Sequence, residues 1–113
     1  MSQVFESETT FDTDISSWDV SNVKNMNSMF LGASTFNQNI RQWDVGAVTD
    51  FGFMFSDATS FNQNLCEWGD HITAPAPTVD VSGMFLPSGP AGSCLTTDPD
   101  LSTSPKGPFC QSC

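Results

Sequence analysis

Two neighbouring stretches of this chain align over 25 positions without a gap, and that period limits what the chain can fold into. WDVSNVKNMNSMFLGASTFNQNIRQ (Trp18 to Gln42) lies over WDVGAVTDFGFMFSDATSFNQNLCE (Trp43 to Glu67). Eleven of the 25 positions are identical: W, D, V, the second V, M, F, A, F, N, Q and N. Val4 to Trp18 lies over Met29 to Trp43 in the same way, and after an insertion beginning at Gly69 the segment Thr78 to Phe85 recovers the signature. The candidate core is therefore a set of columns: Phe11, Phe36 and Phe61; Trp18, Trp43 and Trp68; and Phe30, Phe55 and Phe85, preceded by Phe5. The lopsided aromatic set, ten Phe and three Trp with no Tyr, fits one unit copied several times.

A unit of 25 residues cannot bury its own Phe and Trp, so successive units must stack and share a core. The reading is an α/β solenoid of three to four coils. Val23, Met26, Met29, Phe30 and Ala33 fall at helical spacing and predict a short helical segment in each coil. The stretch from Asn37 to Val45 reads as a strand, so a small parallel sheet is expected along one face. The organisation that follows is a repeat solenoid over 1–85 (a partial coil 1–17, coils 18–42 and 43–67, a degenerate coil 68–85) and a Cys/Pro/Gly-rich cap over 86–113. Asn37 and Asn62, and likewise Asn39 and Asn64, should stack over each other as a ladder, their amides satisfying backbone groups at the bends and bonding to the next copy. Asp12 and Asp14 hold the matching places one coil earlier; with amides in the next two coils, they make a poor calcium row. Met1 aligns with Met26, in the middle of a unit, which leads us to expect a longer array around this segment.

The unit W-D-V-S-x-V-x-x-M-x-x-M-F-x-x-A-x-x-F-N-Q-x-I closely resembles the repeat of the BspA-like leucine-rich-repeat surface proteins, known from mycoplasma-type bacterial lipoproteins and from algae. The likeness covers Val4 to Glu67 well and Trp68 to Phe85 loosely. It implies a leucine-rich-repeat-like solenoid, secretion or surface display, and a role in adhesion or protein binding. It implies no catalysis and carries over no binding residues. The four cysteines and the Pro-rich insertion depart from the bacterial pattern.

Thirteen acidic residues against three basic ones give a formal charge of −10. Nucleic-acid binding needs clustered Lys and Arg to displace counterions, whereas Lys24, Arg41 and Lys106 lie far apart. The same sign repels anionic lipid, and no run reaches the roughly 20 apolar residues of a membrane span. The partner this surface fits is a protein or cell surface with a basic patch. No cofactor is expected. MSQVFESETT has neither the charged nor the apolar part of a signal peptide. On the longer-array reading that feature says little, and an extracellular or cell-surface location is expected.

Cys66, Cys94, Cys110 and Cys113 are candidates for two disulfides that would tie a tail too polar to hold itself in place. Cys66 with Cys94 and Cys110 with Cys113 is the favoured pairing, with the crossed pairings open. A four-cysteine zinc site would show two short knuckles, and here only Cys110 and Cys113 form one. His71 is the single histidine and sits in the insertion with no nucleophile organised around it, so no enzyme is read here. The functional expectation is a non-catalytic adhesion or protein-interaction module. The alternatives are a structural spacer of a surface layer or, less well supported, a solenoid that binds polysaccharide or ice.

Overall fold

The computed structural model describes residues 1–73, 78–87 and 92–113. Parts of the Pro-rich insertion and of the cap, 74–77 and 88–91, lie outside the described residues. The α/β leucine-rich-repeat-like solenoid read from the sequence is not what the chain forms. The body is compact, 35 × 29 × 19 Å with a radius of gyration of 12.5 Å. Its one helix among the described residues is α1, Trp68–His71, four residues long. In place of a sheet there are isolated bridges, parallel between Asn25 and Asp50 and between Asp50 and Asp80. Neither a helix at 23–33 nor a strand at 37–45 is present.

What stands in their place is a ribbon of tight turns. Met29, Leu31 and Ala33 donate their N–H groups back to the carbonyls of Met26, Ser28 and Phe30. The alternate N–H groups point the other way. Met26, Ser28, Phe30 and Gly32 donate to Asp50, Gly52, Met54 and Ser56 of the next unit at 2.8–2.9 Å. Gln3, Phe5 and Ser7 do the same to Asn27, Met29 and Leu31, and Phe51, Phe53 and Phe55 to Asp80, Ser82 and Met84. Each unit thus satisfies half of this backbone locally and half through its neighbour, with no regular element formed.

The reason a helix does not form is visible in the backbone. Gln3, Ser28, Phe53 and Gly83 occupy one column, and all four have φ between +55° and +63°. A residue in the left-handed region stops a right-handed helix at once. The ribbon of turns still places Met26, Met29, Phe30 and Ala33 on its inner side, so an apolar pattern with helical spacing is buried without a helix. At Gly83 the conformation and the space both call for glycine: an added Cβ would lie 2.5 Å from the Phe53 ring.

The units share one core. Phe5, Phe30, Phe55 and Phe85 stack in a column with centroids 5.5, 5.4 and 5.5 Å apart. Phe11, Phe36 and Phe61 form a second column at 5.5 and 5.8 Å. The two columns touch, Phe30 against Phe36 at 4.2 Å and Phe55 against Phe61 at 4.3 Å. Trp43 and Trp68 stack at 6.5 Å, and each donates its indole N–H to the preceding unit, to the carbonyls of Ile15 and Ile40 at 3.1 Å. Offset or near-parallel ring pairs contribute about 0.5–1.5 kcal/mol each beyond the burial of their area. The 25-residue register steps to 30 between Asp50 and Asp80 (80 − 50 = 30), so the insertion after Trp68 adds five residues without breaking the ladder.

Candidate functional site

Polar side chains do a second kind of structural work at the bends. Asp14, Asn39 and Asn64 each accept the N–H two residues ahead, from Ser16, Arg41 and Cys66 at 2.9–3.1 Å. Asp19 and Asp44 do so for Ser21 and Gly46, and Asn25, Asp50 and Asp80 for Asn27, Gly52 and Ser82. These are Asx turns, and they need only one acceptor oxygen. Asp and Asn therefore interchange within a column. Where Ser follows two residues later, its hydroxyl and then its N–H hold the carboxyl of Asp14, Asp19, Asp80 and Asp100 below the usual carboxylate range.

The amide ladder is present for one of the two expected columns. Asn37 N–H donates to Asp12 Oδ1 and Asn62 N–H to Asn37 Oδ1, both at 2.9 Å. Gln38 and Gln63 reach the same two oxygens with their Nε2 groups at 2.9 Å. Asn39 and Asn64 instead close their own turns, as above. The reading of them as rungs is corrected: their carbonyl oxygens are turned to the bend and already taken by the local N–H.

The cysteines all pair, but not as favoured. The bonds are Cys66–Cys113 and Cys94–Cys110, one of the crossed pairings. Cys110 and Cys113 belong to a strap laid across the last clean unit, so each meets a different partner instead of its near neighbour. The strap copies the chemistry of a further unit. Gln111 Nε2 bonds Asn62 Oδ1 at 3.1 Å, the place Gln38 and Gln63 take in the units before. Leu65 N–H donates to the Phe109 carbonyl, and Asp98 Oδ1 accepts the Gly83 N–H at 3.0 Å. Phe109 is buried, and Lys106 Nζ binds the carbonyls of Ile72 and Gly69 beside α1.

The aromatic columns are buried except at the first unit. Phe30, Phe36, Phe55, Phe61, Phe85, Trp43 and Trp68 lie inside, and Phe11 is half-buried. Trp18 is 42% exposed and touches Phe5.

Between the last unit and the strap runs an open groove of about 570 Å³. Val79, Val81, Pro99 and Leu101 line it together with Asp80, Asp98 and Asp100. The hydroxyl and N–H of Ser82 and Ser102 lower the carboxyl pKa of Asp80 and Asp100 on its wall. Such a groove suits a short segment carrying Lys or Arg beside an apolar side chain. Repeat counting gave no view of it, because one wall is the strap, which carries no repeat. No group of three or more His, Cys, Asp or Glu able to hold a metal is present among the described residues. His71 Nδ1 lies 3.6 Å from Asp44 Oδ1 on the surface, which sets the insertion against the preceding unit.

Stacked units of one sequence, closed by a disulfide-tied strap, define a repeat protein. The profile of the family described as "Mycoplasma protein of unknown function, DUF285" matches residues 1–87, and the chain belongs to that family. No curated protein and no solved structure matches it. No helix among the described residues is long and apolar enough to cross a membrane.

Proposed function

We propose that this chain is a non-catalytic, extracellular protein-binding module of the BspA-like surface type, acting in adhesion. The observation that carries the reading is the pair of disulfides: Cys66–Cys113 ties the strap to the last clean unit and Cys94–Cys110 closes the strap on itself. Disulfides form and persist in oxidising compartments, outside the cell or on its surface. The family match supports a repeat of mycoplasma type. The likeness of its repeat to the BspA-like consensus supplies the finer assignment to surface proteins.

A non-catalytic role is supported by how the polar groups are used. The carboxylates of the Asx columns accept N–H groups of their own turns, and the Asn37 and Asn62 oxygens serve the ladder. Binding is assigned to the acidic groove of Val79, Asp80, Asp98, Asp100 and Leu101, with a basic segment as its ligand class. The test is attachment of the purified chain to a cell surface or to an immobilised basic partner, compared with Asp80→Asn/Asp100→Asn and Leu101→Ala. Binding should fall at least several-fold for each and weaken as salt rises through about 0.15 M. Undiminished binding by all of these variants overturns the assignment.

A further inference from the structure

A parallel ladder runs through Asn25, Asp50 and Asp80, and each of its rungs uses the same two flanking groups. Around Asn25 they are the Lys24 carbonyl, which accepts the Thr49 N–H, and the Met26 N–H, which goes to the Asp50 carbonyl. Around Asp50 they are the Thr49 carbonyl, which accepts the Asp80 N–H, and the Phe51 N–H, which goes to the Asp80 carbonyl. Around Asp80 the corresponding pair is the Val79 carbonyl and the Val81 N–H. Neither has a hydrogen-bond partner among the described residues, and both valines line the acidic groove. The strap serves the neighbouring donor only: Asp98 Oδ1 takes the Gly83 N–H, whose counterpart Phe53 gives its own to Ser82. An open donor and acceptor at a ladder edge form a template for a further extended segment.

We propose that an extended peptide of a partner protein pairs with this rung, one of its residues giving its N–H to the Val79 carbonyl and taking the Val81 N–H on its own carbonyl. The inference rests on the groove reading above and adds how the partner is held and which residues it presents. The residue opposite Asp80 lies on the same face as Asp80, so an Arg or Lys there sits beside that carboxylate, with Asp98 and Asp100 also on the groove wall. The residue after it is apolar. Met26 and Phe51, which follow the rung positions Asn25 and Asp50, are 0% exposed, whereas Val81 is half-buried and is left for the ligand to cover together with Leu101. Main-chain pairing supplies affinity and the two side chains supply selectivity, as in other peptides that add to an open edge. The groove of about 570 Å³ lies within the roughly 300–1,000 Å³ of ligand sites. A further repeat unit is the wrong occupant: the repeat brings Asn or Asp to the rung, as at Asn25, Asp50 and Asp80, and adds no positive charge.

The probe is the blocked peptide acetyl-Ser-Thr-Arg-Leu-Thr-Ser-amide, titrated into the full-length, oxidised, isotope-labelled chain and followed by amide hydrogen exchange. At saturation the Val81 N–H should exchange at least tenfold more slowly, while the Phe51 N–H, already bonded to Asp80, should be unchanged. Methylating the backbone nitrogen of the peptide arginine removes the donor to Val79 and should weaken binding at least tenfold. Glutamate in place of that arginine should abolish binding. If the peptide binds but Val81 exchange is unaltered, or if the methylated peptide binds as well as the parent peptide, the ladder is overturned and the acidic groove stands. No binding at millimolar concentration overturns the inference as well; attachment to a basic partner that still depends on Asp80 and Asp100 would then leave the groove reading in place. Equal binding of the glutamate peptide overturns both, since the carboxylates would then select nothing.

Discussion

Replacing Trp43 with Phe should cost far more than the same change at Trp18, although the two residues hold the same place in the repeat. Trp43 is 2% exposed, stacks on Trp68, and gives its indole N–H to the Ile15 carbonyl at 3.1 Å. Phenylalanine keeps a ring in the column but removes that hydrogen bond, worth about 0.5–1.5 kcal/mol, while the Ile15 carbonyl keeps the Trp18 N–H at 3.1 Å. The ring atoms it lacks add about 1 kcal/mol of lost burial. The sum is about 1.5–2.5 kcal/mol. With a urea m-value of about 2 kcal/mol/M, the unfolding midpoint of Trp43→Phe falls by about 0.7–1.3 M. Trp18 is 42% exposed, so Trp18→Phe should cost less, within about 0.5 kcal/mol. The assay is urea unfolding of the oxidised chain followed by far-ultraviolet circular dichroism, with both variants and the parent at one pH. Equal losses at the two positions, or a Trp43→Phe midpoint within about 0.3 M of the parent's (about 0.5 kcal/mol at that m-value), would refute the reasoning.

Gly83→Ala should destabilise by about 2 kcal/mol or more, since the new Cβ meets the Phe53 ring and the backbone has φ +63°; the same urea assay reads it, and Phe53→Ala should relieve the clash in the double variant. Removing Cys66–Cys113 by serine substitution opens a loop with a sequence separation of 47 and should cost about 4 kcal/mol on the chain-entropy model, against about 3 kcal/mol for the Cys94–Cys110 loop with a separation of 16. Because the smaller loop is nested in the larger, loss of both should cost less than the sum, which the same unfolding curves would show. The Asp14, Asp19, Asp80 and Asp100 carboxyls have folded values below their unfolded ones, so their contribution is present above about pH 4 and is lost as pH falls through the folded values. Stability should therefore be flat with respect to these groups from about pH 5 to 7 and fall below about pH 4. Asp19→Asn, which keeps the turn acceptor, should shallow that acid limb.

The stacking columns were legible from the alignment because burial follows the period: Phe30, Phe36 and Trp43 recur as Phe55, Phe61 and Trp68, and they are buried together. The local conformation was not. Spacing of Met26, Met29, Phe30 and Ala33 is the same whether the chain makes a helix or a run of turns, and the deciding feature is a left-handed residue at Ser28 that serine does not announce. Glycine marks the same column only once, at Gly83. The extended reading of 37–45 failed for a related reason. Asn39 and Asp44 each bend the backbone with an Asx turn, and the N–H groups of Arg41 and Gly46 donate to those side chains instead of to a neighbouring strand. The exchange of Asp14 for Asn39 and Asn64 carried a signal for that, since only a shared acceptor oxygen is kept. The disulfide pairing and the acidic groove depend on where the non-repeating strap lies, and periodicity holds no information about a segment outside the period.

The central claim is that consecutive units are joined by backbone bonds one period apart, and scalar couplings across hydrogen bonds read it directly. In a triple-labelled sample, the Phe5, Phe30 and Phe55 amide nitrogens should couple to the carbonyl carbons of Met29, Met54 and Met84. Couplings of those nitrogens to carbonyls four residues earlier in their own unit would mean helices, and would contradict the account.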